Sequence, residues 1–280
     1  MLPQLSIGLL LGVLIAGVAW RAGALSRSGA WAAAVVGGMV FGLGGLTWAV
    51  LLLTFFVSSS VLSRAFVHRK SGLGEKFSKG NRRDWGQVVA NGGVGIMLIV
   101  IPILPVGYWP HEWFQFWPWV GYAGAMAAVT ADTWGTELGV LSRRPPRLIT
   151  NGRRVERGTS GAISLLGSLA SLFGSTLIGL VACLIVIAAE PCHIAVLPVF
   201  ASVTIGGVSG SFLDSLLGAT MQANYYCPVC EKHTEHHPLH TCGTGTTHVR
   251  GSRWLNNDWV NFFTSLVGTI VALGTWFVLS

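Results

Sequence analysis

Apolar residues lie along this chain in long runs, not in the short alternations of a β-barrel. A helix needs about 20 such residues to cross hydrocarbon. By that measure the pattern predicts spans at 2–20, 30–44, 46–63, 88–105, 119–140, 161–188, 195–222 and 259–279. The block from 30 to 63 is too long for one upright helix, and Gly42, Gly44 and Gly45 interrupt it, so it reads as a hairpin of two short helices. The expected fold is an all-α polytopic membrane protein of about eight transmembrane helices. Residues 1–280 would form a single integral membrane domain, with 223–258 a small cytoplasmic Cys/His loop able to bind zinc.

Charge sets the sidedness. Residues 64–87 carry seven Lys or Arg against two acids, and 141–160 carry six against one, so each is net +5 and expected in the cytoplasm. The link 21–29, with Arg21, Arg27 and no acid, belongs there too, which the split hairpin permits, and both termini then lie outside. The opening segment has no Lys or Arg before its apolar run and ends in Trp20-Arg21, so it reads as a retained helix, not a signal peptide. The absence of a transit peptide fits a bacterial plasma membrane. Segment 105–118, with Pro105, Tyr108, Trp109, Trp113, Trp117 and Pro118, reads as an external loop lying in the interface. Composition agrees: 51% hydrophobic and 10% charged residues exclude a soluble enzyme, for which about 25% charged is usual. Five cysteines do not make a disulfide framework.

Three acids fall inside or at the inner ends of these spans: Asp132, Glu137 and Asp214. Each costs about 2.5–3.5 kcal/mol at a helix centre and needs a partner or a wet cavity. Gly206, Gly210, Gly218 and Gln222 put Asp214 on a bare helical stripe, and Gly135, Thr136 and Gly139 do the same for Asp132. Helix packing accounts for the glycines, but not for acids set among them. Two carboxylates near a basic cytoplasmic face suit Mg²⁺ carrying phosphates, with Lys79, Arg82, Arg153, Arg154 and Arg157 neutralising phosphate oxygens. The competing reading of those basic residues is topology or contact with anionic lipid. Gly158-Thr159-Ser160-Gly161 is expected to open the sixth helix and offer free N–H groups to an anion. Gln87 and Asn91 are expected to open the fourth helix, and Asn256, Asn257, Asp258 and Asn261 the eighth.

Segment 223–250 holds Cys227-Pro228-Val229-Cys230, then His233, His236, His237, His240, Cys242 and His248. A CxxC turn with a later Cys and His has closed-zinc spacing. Cys227, Cys230, His240 and Cys242 are the expected ligands of a structural ion, and a reduced, metal-free loop is the alternative.

The segments Gln87-Val88-Val89-Ala90-Asn91-Gly92-Gly93, Ala131-Asp132-Thr133-Trp134-Gly135-Thr136-Glu137 and Leu213-Asp214-Ser215-Leu216-Leu217-Gly218-Ala219 resemble the integral membrane family of domain of unknown function ninety-two. This is the family of transmembrane protein nineteen and the phytyl-phosphate kinases. The resemblance implies a CTP-preferring prenyl phosphate kinase with Asp132 and Asp214 at the metal and phosphate site. It also implies a pocket lined by Asn91, Thr159, Asn257, Asp258 and Asn261. Phosphoryl transfer to a substrate that is already a phosphate needs positioning and charge neutralisation more than a strong base. The expected function is therefore CTP- and Mg²⁺-dependent phosphorylation of a prenyl monophosphate, with Glu137 a candidate beside the two aspartates. The alternatives are a cytidylyltransferase making a CDP-lipid, and a transporter.

Overall fold

A computed structural model of the chain describes residues 2–65, 82–101, 112–189 and 195–280. Among these, eight helices form: α1 (Leu2–Arg21), α2 (Arg27–Gly44), α3 (Leu46–Ala65), α4 (Trp85–Val100), α5 (Glu112–Gly139), α6 (Leu165–Ala188), α7 (Val196–Thr220) and α8 (Asn257–Leu279). Five of them, α1, α3, α6, α7 and α8, are long and apolar enough to cross a membrane, and α4 is a shorter apolar helix. Leu10, Val18, Phe173, Leu184 and Val278 are exposed on these helices, as expected of side chains that meet lipid. The break in the 30–63 block falls where glycine allows it: Gly45 has φ +77°, and its N–H still bonds to Phe41 O.

The hub of the bundle is α5, which packs against α3, α4, α6, α7 and α8. Residues 118–131 of this helix are buried on every side, the signature of a helix enclosed by others. Close approach depends on missing side chains. A Cβ at Gly210 of α7 would stand 2.5 Å from Ala128 Cβ of α5 and 2.8 Å from Thr264 O of α8. At that position the three helices meet nearly backbone to backbone.

Three sequence expectations change. First, α5 begins at Glu112, so residues 112–118 are helical and not part of an external loop. Pro118 lies inside the helix, where it removes one early backbone bond while surrounding helices bury it. Phe116 and Trp117 pack against the core, whereas Pro105, Tyr108 and Trp109 lie outside the described residues. Second, α4 starts at Trp85, held by a capping box in which Asp84 accepts from Gln87 N (3.0 Å) and Gln87 Oε1 accepts from Asp84 N (3.3 Å). Third, Gly158–Gly161 does not open α6. Gly158 (φ +76°) and Gly161 (φ +78°) instead shape a turn leading into β2 (Ala162–Ile163), which pairs antiparallel with β1 (Arg147–Leu148). Ser164 then caps α6 by accepting from Gly167 N at 3.1 Å. A left-handed residue at 161 cannot lie inside a right-handed helix, so α6 starts later than the apolar pattern does.

Between α7 and α8 the chain forms a small lobe with strands β3 (Asn224–Cys227), β4 (Lys232–Thr234) and β5 (Thr247–Arg250), antiparallel in the order β4-β3-β5. Arg250 anchors it to the end of α7 by donating to the carbonyls of Gly218 (3.0 Å) and Ala219. Those are carbonyls that a helix end leaves without intrahelical partners.

Candidate functional site

Asp132 emerges on α5 directly after its buried stretch, and Asp214 lies about three-quarters of the way along α7. Their carboxyl groups adjoin, close enough for one proton to be shared between them. Each residue is half-buried, so the pair is sheltered without being sealed. Thr264 of α8 donates to Asp214 Oδ1 at 3.3 Å. Among the described residues, no Lys or Arg forms an ion pair with either acid. The repulsion of two adjoining ionised carboxyls is relieved by a shared proton or by a cation.

Other expected residues lie on the elements packed around α7 and α8. Asn257, Asn261 and Thr264 follow one another at helical spacings of four and three, so they share the face of α8 that reaches Asp214. Asn256 caps that helix by accepting from Asp258 N (3.0 Å) and Trp259 N (3.2 Å), and Asp258 is half-buried in its first turn. Gly218 lies one turn beyond Asp214, about 6 Å along the axis. A Cβ there would meet Ser160 Oγ at 2.7 Å and Gly161 N at 2.9 Å, so the 159–161 turn rests on the helix that carries Asp214. Ser160 Oγ donates to Gln222 Oε1 at 2.8 Å, and Thr159 Oγ1 donates to Glu156 O at 2.8 Å. Asn91 is half-buried on α4, which packs against α8.

The remaining expected residues lie elsewhere. Glu137 faces α3, where Ser63 Oγ donates to its Oε1 at 2.6 Å. Gln87 is engaged in the cap of α4. The Arg82 guanidinium lies beside Gly23 in the link between α1 and α2. Arg154 and Arg157 join Arg143 and Glu156 around an open cavity of about 490 Å³, while Arg153 is exposed and not part of its lining. Lys79 lies outside the described residues.

A second constellation sits in the lobe. The ligand atoms of Cys227, Cys230, His240 and Cys242 all lie within 4.8 Å of one another, close enough for one ion to bind all four. Cys227 Sγ is 3.6 Å from Cys242 Sγ, and His240 Nδ1 is 3.1 Å from the same sulfur. Hydrogen bonding with Thr244 and His240 holds the Cys242 thiol down at about 6. Bonding to Cys242 pushes Cys230 up to about 11. The thiolate that attracts a soft metal is therefore concentrated on Cys242. Buried His240 Nε2 has no hydrogen-bond partner among the described residues, and Nδ1 is the nitrogen turned toward the Cys242 sulfur.

The chain matches the family described as integral membrane protein DUF92 over residues 10–269. It belongs to that family. Among DUF92 relatives it is similar to Protein PGR of Arabidopsis thaliana, 31% identical over 278 residues that cover 94% of this chain and 93% of that protein. It is also similar to Uncharacterized membrane protein MJ0933 of Methanocaldococcus jannaschii, 31% identical over 79% of this chain and 84% of that protein. Protein VTE6, chloroplastic, of Arabidopsis thaliana is 25% identical over 89% of this chain and 64% of its own length. No solved structure matches the chain.

Several residues of this DUF92 member on or near the site are not singled out as site residues by sequence. Thr264 looks like an ordinary hydroxyl in an apolar helix, and only the fold brings it to Asp214. Gln222 is visible as the end of the glycine stripe, but not as the partner of Ser160. Ser171 of α6 and Ser211 of α7 bond to each other at 3.0 Å.

Proposed function

We propose that this protein transfers the γ-phosphoryl group of CTP, with Mg²⁺, to a prenyl monophosphate of the phytyl phosphate kind, yielding CDP and the prenyl diphosphate. The observation that carries this reading is the meeting of Asp132 and Asp214 from two separate helices with no cationic side chain between them among the described residues. Mg²⁺ is held by one or two carboxylates plus substrate phosphates, and this donor set fits that ion. When bound, it supplies neutralisation of the phosphate charge. Thr264 orients Asp214 through its hydrogen bond. Asn257 and Asn261 offer neutral donors to the nucleotide, the Thr159 and Ser160 hydroxyls, whose protons are engaged by Glu156 O and Gln222 Oε1, offer acceptor oxygens, and the Arg143, Arg154 and Arg157 cavity attracts the polyanion.

An oxygen of the acceptor phosphate attacks the γ-phosphorus, and the bond to the CDP oxygen breaks. The attacking oxygen is already ionised near neutrality, so no side chain need remove a proton. The prenyl tail stays in lipid between helices while its phosphate reaches the cytoplasmic side, where the basic loops lie. In the lobe, Cys227, Cys230, His240 and Cys242 suit Zn²⁺ in a closed structural site. On this reading the protein sits in a bacterial plasma membrane with both termini outside. Membership of DUF92 agrees with the sequence resemblance, which implies the kinase reading.

The test is product analysis with purified protein, CTP, Mg²⁺ and phytyl phosphate. CDP and phytyl diphosphate are expected, with Asp132→Asn and Asp214→Asn each slower by about a hundredfold or more. Release of pyrophosphate with a CDP-lipid would replace the kinase by a cytidylyltransferase. Full turnover by both variants would overturn the site assignment.

A further inference from the structure

We infer that Gln222 is a positioning residue through which the Cys/His lobe fixes the 159–161 turn, so that metal in the lobe controls how firmly that turn is held against the site. The inference rests on the proposed function only in taking Thr159 and Ser160 as nucleotide-binding groups. Gln222 is 4% exposed, and both ends of its amide are engaged. Its Oε1 accepts from Ser160 Oγ at 2.8 Å, and its Nε2 donates to Glu235 Oε1 at 2.9 Å. Glu235 follows β4 directly and sits between the CxxC turn and His240, inside the loop that the four candidate ligands would close. The chain continues from Gln222 through Ala223 into β3, whose last residue is Cys227. One amide thus joins the lobe's interior to the turn, at the end of the helix carrying Asp214.

The lobe touches the same place twice more. Arg250, the last residue of β5, donates to Gly218 O and Ala219 O. Ser252 N donates to Met221 O at 2.8 Å. The membrane end of the lobe is therefore built onto the final turn of α7, and Gln222 carries its position sideways to Ser160. A lobe this small has little apolar core of its own, and a bound ion is the usual means of holding such a unit in one shape. With the ion removed, Glu235 loses its fixed place, Gln222 loses one of two anchors, and Ser160 loses the acceptor that orients it.

The turn carries its own reporters. Thr159 N donates to Glu156 O (3.2 Å), Ala162 N to Thr159 O (3.1 Å) and Ile149 N to Gly161 O (3.1 Å). Amide hydrogen exchange on the full-length protein in detergent reads these groups without any turnover. Gln222→Ala, with its zinc content unchanged, should exchange at Ile149, Thr159 and Ala162 about tenfold faster than wild type, and chelation of the wild-type metal should do the same. Gln222→Glu alone should also loosen the turn, because it sets two carboxylates face to face. Gln222→Glu combined with Glu235→Gln should restore protection, because the reversed pair again supplies one amide donor and an acceptor for Ser160. In the CTP assay, Gln222→Ala should raise KM for Mg·CTP about fivefold with little change in kcat. Unchanged exchange in Gln222→Ala, or failure of the reversed pair to restore it, would overturn the inference even with an active kinase. An inactive kinase with the expected exchange pattern would instead overturn the nucleotide reading and leave the Gln222 link standing.

Discussion

Two carboxyl groups in contact repel when both are ionised, and neither keeps that position without something positive or a shared proton between them. Asp132 and Asp214 are held there by α5 and α7, and Thr264 adds one donor to Asp214. Replacing Thr264 by Val should leave the fold intact and weaken Mg²⁺ binding by about tenfold, as loss of a partner behind a metal ligand does. Isothermal titration with Mg²⁺ and CTP measures this. In the lobe, the Cys242 thiol at about 6 is ionised at neutral pH, and acidification through that value reprotonates it. Zinc binding requires the thiols of the site to be deprotonated, so zinc content measured from pH 8 to 5 should decline as the pH falls. The two aspartates were legible in the sequence because a charge in an apolar run has no cheap explanation. Thr264 was not, because hydroxyls are common in membrane helices and cost little there.

At the scale of elements, the site depends on how closely helices approach. Gly210→Val would force a branched side chain into the space where α5, α7 and α8 meet, costing about 1–3 kcal/mol by overpacking. The expected result is a lower thermal midpoint together with reduced activity, because the same shift separates Asp132 from Asp214. The helices themselves were readable from apolar length, and the start of α8 from its run of Asn and Asp. The small β1–β2 pair was not, since two-residue strands have no periodicity to detect. That omission misplaced the Gly158–Gly161 turn, which lies in a loop and not at a helix N-terminus. The 112–118 segment misled because a proline usually marks an end, whereas here a surrounded α5 absorbs it.

On the scale of the molecule, a buried central helix gathers its neighbours, and a polar lobe is built onto the end of α7. The lobe and the bundle should separate in stability: chelation should open residues 223–256 to protease while the helical circular dichroism stays nearly constant. The Cys227–Cys242 grouping was readable from spacing alone, because a closed metal site has few sequence solutions. Its attachment through Gln222 and Arg250 was not, because only the folded chain brings those side chains to the 159–161 turn and to α7. The basic residues divide as well. Arg143, Arg154 and Arg157 share one cavity, while Arg82 lies by the first helical link. The claim on which the functional reading depends is that two aspartates from separate helices hold one hard cation with a nucleotide. Electron paramagnetic resonance with Mn²⁺ in place of Mg²⁺ tests it directly. Wild-type protein with CTP should immobilise one Mn²⁺ per chain, and Asp132→Asn and Asp214→Asn should each lose that signal. Equal Mn²⁺ uptake by wild type and both variants would contradict it.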